Sequence, residues 1–239
     1  MIRLPEIFRH IVVILLIFIA FANQASCQNQ INKPDSALIK TITSFEKTIA
    51  AGSFLYSGKE YAGYSMNIKG NPFFFKDSLL FGNIFYDGHL FENVPLLYDL
   101  VKQAVIIQSY DDTASISLAN EKIKYFTLNG HEFENMRTEN GNVFYDVMYN
   151  KKAGVWIKRI KVIRQALHAE DRDFYVETDE LYIKKNNSLF LITNKSSLLQ
   201  AFDDRKNELK IFIRKNKFKF KKNIENDLIK TASYYSSLQ

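Results

Sequence analysis

Two of the four histidines stand beside acids, the residue types from which metal and acid–base sites are built. His131 opens His-Glu-Phe-Glu, but the second histidine four residues on, which a zinc-binding helix requires, is absent. It directly follows Asn129-Gly130, so it reads as a strand-end side chain. His168 opens HAEDRD, where Glu170, Asp171 and Asp173 offer three oxygens to a hard cation. The glycine and the bidentate acid of a calcium loop are missing, and the segment reads as a solvated acidic turn. Asp111, Asp112 and Glu121 have the chemistry of a glycosidase carboxylate pair, which must face each other across a cleft. A turn at Asp111-Asp112 accounts for them more simply. Gly63-Tyr64-Ser65-Met66-Asn67 lacks the second glycine of a nucleophile elbow, and Gly58-Lys59 stands without a phosphate-binding loop. The single cysteine, Cys27, leaves no thiol nucleophile, internal disulfide or cysteine metal site in the body of the chain. No catalytic, cofactor or metal constellation is expected, and a hydrolase-type enzyme without a recognisable motif ranks third among the functional readings.

The strongest compositional feature is basic. Arg205, Lys206, Lys210, Arg214, Lys215, Lys217, Lys219, Lys221 and Lys222 fall between positions 205 and 222, against the single acid Glu208. Lys217-Phe218-Lys219-Phe220-Lys221 alternates strictly, which in an extended segment puts the aromatics on one side and the charges on the other. Such a run can meet anionic headgroups or an acidic partner. The simpler reading is a solvated face whose apolar residues dock the tail, with Asp203, Asp204, Glu225 and Asp227 partly neutralising it. Three Asp-Ser/Thr triplets, at Ser36, Ser78 and Thr113, resemble a short O-glycosylation acceptor motif.

The elements that carry these residues begin with an export signal. Arg3, Arg9 and His10 precede the apolar block Ile11 to Ala22, and small residues follow. The expected signal is 1–22, with alternative cleavage after 26 or 27. Twelve apolar residues rise only about 18 Å as a helix, short of a bilayer core of about 30 Å. Ala25 and Ser26 before Cys27 allow a lipoprotein, although Gln24 replaces the aliphatic residue that motif wants. Export turns the +6 charge away from nucleic acid and towards anionic envelope surfaces.

After a linker over 23–34, Leu38, Ile42, Phe45 and Ile49 predict a helix over Asp35–Ala51. From Phe54 to Thr193, short aromatic and β-branched runs alternate with turns, and 20 Phe and 13 Tyr demand a packed core. Asp87-Gly88 and Asn129-Gly130 predict type I′ hairpins. Asn140-Gly141, Lys152-Ala153-Gly154 and Asn186-Asn187 mark further turns. The expectation is a mainly β (α+β) domain over 35–194, an antiparallel meander, curved sheet or half-barrel of roughly 9–11 strands. The run VWIKRIKVI is expected to be a strand. Over 195–239 a helical tail packs on the sheet. Ser197-Leu198-Leu199-Gln200 predicts a capping box, Leu209, Phe212 and Ile213 a helix closed by Asn216, and Asn223 the cap of a third helix.

In order along the chain, Asn71-Pro72-Phe73-Phe74, GNIFYDG (82–88), VPLLYD (94–99) and LLQAFDDRKNELKIFIRKNKFKFKK resemble a group of exported Bacteroidota proteins of about this length with no assigned activity. The resemblance implies a Gram-negative envelope, periplasmic or outer-membrane-associated, and no site residue. The leading expectation is an exported, non-enzymatic envelope protein that binds a macromolecular partner or an anionic lipid or lipopolysaccharide surface. The alternative is a periplasmic carrier or chaperone holding an apolar ligand in a curved sheet.

Overall fold

The computed structural model describes residues 55–238 except 66, 67, 110, 112, 140, 169 and 222. The expected signal, the expected linker, the helix expected over Asp35–Ala51, Cys27 and Ser36 all lie outside the described residues. The elements are β1 (Lys59–Glu60), β2 (Leu80–Tyr86), β3 (His89–Asp99), β4 (Ala104–Gln108), β5 (Ser115–Ser117), β6 (Ile123–Leu128), β7 (His131–Thr138), β8 (Gly141–Asn150), β9 (Gly154–Lys158), β10 (Lys161–Arg164), β11 (Phe174–Glu177), β12 (Glu180–Lys185) and β13 (Ser188–Leu191), then α1 (Lys195–Ala201), α2 (Lys206–Lys215) and α3 (Ile224–Ser237). Eleven strands form one open antiparallel sheet in the order β1-β5-β4-β3-β2-β6-β7-β8-β9-β12-β13, and β10 pairs with β11 alone.

Turn chemistry sets the local pairings. Asp87-Gly88 joins β2 to β3 with φ of 48° and 83°, and Asn129-Gly130 joins β6 to β7 with 51° and 79°. Both residues of each turn occupy the left-handed region that a type I′ hairpin needs. Asn186-Asn187 does the same between β12 and β13.

The sheet is not one continuous meander. From β2 the chain walks outward through β3, β4 and β5, whose far edge is taken by β1. It then returns through a 3₁₀ turn at Asn120–Lys122, where the Asp87 N–H donates to the Lys122 carbonyl, and lays β6 on the other edge of β2. Gly82 permits that pairing, because a Cβ there would overlap the Thr127 carbonyl oxygen.

A second correction concerns VWIKRIKVI, which is two strands. Arg159 turns into a carboxylate cluster and the Ile160 N–H donates to Asp179. β10 therefore leaves the main sheet and pairs with β11.

Cross-strand register lines up Ile84, Phe126, Phe133, Asp146, Ile157 and Leu181 as one row on a single face. At the β2–β7 end this face is an aromatic cluster: Phe126 stacks on Phe133 at 4.8 Å, and Tyr98 meets both edge-on at 5.2 and 5.1 Å. At the β9–β12 end, Val155 and Ile183 take the helical tail, with Leu198, Phe202, Leu209, Ile213, Leu228 and Ala232 buried against them. Each such aliphatic side chain contributes about 1.5–3 kcal/mol on full burial. That packing holds helices too short to be stable alone.

In α1 the cap is Asn194, whose side chain accepts from the Ser196 and Ser197 N–H groups, while the Ser197 hydroxyl reaches back to the Asn194 backbone. Ser197 is thus the inner member of the box and not its cap. A carboxamide placed one residue before the helix offers an acceptor to two free N–H groups at once. Asn216 closes α2 as expected, its amide donating to the Phe212 carbonyl.

Candidate functional site: a basic ridge on the C-terminal helices

The basic run occupies α2 and the turn that follows it. Leu209 and Ile213 point into the core, which leaves Lys206, Lys210, Arg214 and Lys215 exposed on the remaining faces of α2. Lys217, Lys219 and Lys221 are exposed on the turn, while Phe218 and Phe220 pack inward against the tail's core. The sidedness predicted by the alternation holds, although the segment is a turn with left-handed φ at Lys217 (54°) and Phe220 (48°) and not a strand. Phe212 anchors it, stacked on Tyr234 at 4.0 Å and edge-on to Phe218 at 5.7 Å. Arg205 pairs with Glu208 at 3.3 Å, and Lys222 lies outside the described residues.

The acids expected to neutralise the run are engaged elsewhere. Asp203 and Asp204 pair with Lys185 at 3.4 and 2.8 Å, and Asp204 also accepts from the Tyr235 hydroxyl. Partial burial raises the Asp204 pKa, but these bonds outweigh it and hold the carboxyl below its ordinary range. Glu225 binds Arg159 at 2.6 Å, and Asp227 accepts from the Phe220 N–H. Among the described residues, Lys206, Lys210, Arg214, Lys215, Lys217, Lys219 and Lys221 make no ion pair. Beside this ridge, the 216–221 turn and the first two turns of α3 enclose a pocket of about 500 Å³. It is lined by Lys217, Lys219, Lys221, Lys230, three asparagines, Phe218 and Asp227.

Two polar clusters escaped sequence reasoning. Asp146 is the one charged member of the apolar row, and its side chain is 1% exposed. Arg159 reaches its Oδ2 at 2.7 Å and also binds Asp179 and Glu225, while His131 Nδ1 lies 2.9 Å from the same oxygen. His131 is therefore more than a strand-end side chain: its ring packs edge-on to Phe74 at 5.0 Å and bonds a buried carboxylate. The second cluster centres on buried Asp99, which accepts from the Tyr61 and Tyr64 hydroxyls and from the Val101 and Lys102 N–H groups. Burial and the Asp99 charge push both phenols far above their ordinary pKa. In both clusters the groups satisfy one another. Contacts between segments far apart in sequence bring them together, and no short motif signals it.

The remaining sequence candidates are dispersed. His168, Glu170 and Asp171 are exposed between β10 and β11, while Asp173 accepts from the Ala166 N–H. No group of three or more His, Cys, Asp or Glu side chains among the described residues is arranged to hold a metal ion. Asp111 forms the predicted turn, accepting from the Ser109 and Thr113 hydroxyls, which hold its carboxyl below the ordinary range. Glu121 stands on the 3₁₀ turn, and Asp112 lies outside the described residues. Ser78 and Thr113 are exposed, with the Thr113 hydroxyl engaged to Asp111. No helix among the described residues is long and apolar enough to cross a membrane. The chain matches no protein-family model, no curated protein sequence and no solved structure.

Proposed function

We propose that this is an exported, non-enzymatic envelope protein that docks on an anionic envelope surface or acidic partner through the basic ridge of α2 and the 216–221 turn. The observation that carries the reading is the disposition of charge. Among the described residues, seven exposed cations have no ion pair, while all four flanking acids are bonded to Lys185, Arg159 or the backbone. A solvated face needs no such segregation. Export rests on the ordered signal features of residues 1–22.

The packing weighs for docking over carriage of an apolar ligand. Tyr98, Phe126, Phe133 and Phe144 are fully buried against one another, whereas Phe75 and Phe81 stand 65% and 69% exposed outside that cluster. A carrier would need apolar volume that these rings fill.

Replacing Lys215, Lys217, Lys219 and Lys221 with Gln tests the reading. Each lysine near an anionic surface contributes about 1 kcal/mol, so the four together weaken vesicle binding by up to about a thousandfold at low salt. The wild-type attraction fades as the Debye length falls from about 10 Å at 0.1 M to about 3 Å at 1 M. Melting temperature stays unchanged, because none of the four is buried or paired. A variant that co-sediments with anionic vesicles as the wild type does at low salt rules out the ridge as a docking surface.

A further inference from the structure

The ridge explains general attraction to negative charge, but the pocket beside it has a more particular shape. Its wall is built from the backbone outward. The Lys217 N–H donates to the Arg214 carbonyl at 3.1 Å, Phe218 to Ile213 at 3.2 Å, and Phe220 to the Asp227 carboxylate at 3.1 Å. Lys217 and Phe220 hold φ of 54° and 48°, a conformation that is uncommon for non-glycine residues and strained for a bulky aromatic. The inward packing of Phe218 and Phe220 maintains it, and the result is that Lys217, Lys219 and Lys221 rim one concavity. From the facing helix, Asn223, Asn226 and Lys230 complete the rim, and the Lys230 ammonium lies 5.9 Å from the Phe218 ring.

Four ammonium groups supply twelve donors, and three carboxamides add both donors and acceptors. One carboxylate, Asp227, shares the lining, and it bonds the Phe220 N–H. This set suits a dianion joined to a polar hydroxylated body, with the Phe218 ring as an apolar wall. A pocket of about 500 Å³ falls within the range of small-molecule sites and exceeds what a bare anion needs. We propose that the pocket is a headgroup site for a lipid bearing a terminal phosphate monoester. The inference rests on the docking function above and adds a preferred headgroup to it.

The test compares phosphatidylcholine vesicles carrying phosphatidic acid with vesicles carrying phosphatidylglycerol, matched in zeta potential, using the purified protein. The expected result is at least tenfold tighter binding to phosphatidic acid, with displacement by millimolar glycerol 3-phosphate. Lys217→Gln, Lys219→Gln, Lys221→Gln and Lys230→Gln together abolish the preference. Lys206→Gln, Lys210→Gln, Arg214→Gln and Lys215→Gln remove the same charge, weaken both lipids alike and leave the preference intact. Equal binding to the two lipids, with equal losses in the two quadruple variants, overturns the pocket and leaves the ridge standing. Failure to bind either vesicle overturns both readings. Binding of glycerol 3-phosphate without vesicle binding overturns the lipid assignment in favour of a soluble phosphate ester.

Discussion

Replacing Arg159 with Met tests whether the buried ion cluster joins the sheet to its helical tail. The guanidinium is 11% exposed and reaches Asp146 at 2.7 Å, Asp179 at 2.8 Å and Glu225 at 2.6 Å. Burial opposes its charge, but the hydrogen bonds it donates to Glu225 and Asp179 and the pairing with Asp146 outweigh it, and its pKa lies above the ordinary arginine value. Methionine keeps an unbranched apolar stem while removing the charged fork. Asp179 and Glu225, at 23% and 38% exposure, regain water and lose about 0–1 kcal/mol each. Asp146 is 1% exposed and does not regain water, and among the described residues its remaining side-chain partner is His131. Breaking a buried pair in this way costs about 3–5 kcal/mol. For a unit of this size the melting temperature falls about 2–4 °C per kcal/mol. Urea unfolding followed by fluorescence of Trp156, the only tryptophan and fully buried on β9, reads the change directly. Adding Asp146→Leu removes the stranded charge and restores an apolar row, so the double variant recovers most of the loss. A cost below about 1 kcal/mol for Arg159→Met, or a double variant as unstable as the sum of its parts, refutes the reasoning.

Alkaline titration separates the tyrosines. An unfolded phenol ionises near pH 10, whereas burial and Asp99 hold Tyr61 and Tyr64 protonated well beyond that. The unfolded chain therefore sheds these protons first, so their contribution is complete below pH 10 and is lost as pH rises further. Phenolate absorbance should stay incomplete at about pH 11 until the fold opens, and simultaneous ionisation of all tyrosines in a folded protein contradicts the assignment. Leu209→Ala or Ile213→Ala, each emptying a fully buried site beneath the ridge, costs about 2–5 kcal/mol by denaturant titration. A cost under about 1 kcal/mol would mean that α2 is not held by this face. If the proposed export signal is cleaved, N-terminal sequencing of the protein from its host should find a start near Asn23 or Gln28, and Met1 retained in a membrane fraction contradicts processing.

Several elements were legible because their causes are local. Asp87-Gly88 and Asn129-Gly130 adopt left-handed φ at little cost, so the hairpins follow from two residues each. The apolar spacing of Leu209 and Ile213, and of Leu228, Ala232 and Tyr235, marks buried helix faces because 3.6 residues per turn brings them onto one side. The lysine–phenylalanine alternation foretold which side chains point in, although the backbone does it with a turn. Lys230 was within reach of the same logic, since Asn223, Asn226 and Lys230 recur at spacings of three and four on α3.

What the chain could not show by itself depends on contacts between residues far apart in sequence. The return of β6 to the free edge of β2 requires Gly82 to meet Thr127 across 45 positions. The burial of Asp146 becomes visible only when Phe133 and Ile157 are its neighbours in the row. Composition located nine cations with four acids beside them and counted the acids as partners. Tertiary structure assigned those acids to Lys185, Arg159 and the Phe220 N–H. Charge balance along a chain is a sum over neighbours in sequence, whereas ion pairing is decided by distance and burial in space. That difference is why the flanking acids leave seven described cations of the run, from Lys206 to Lys221, exposed on the ridge.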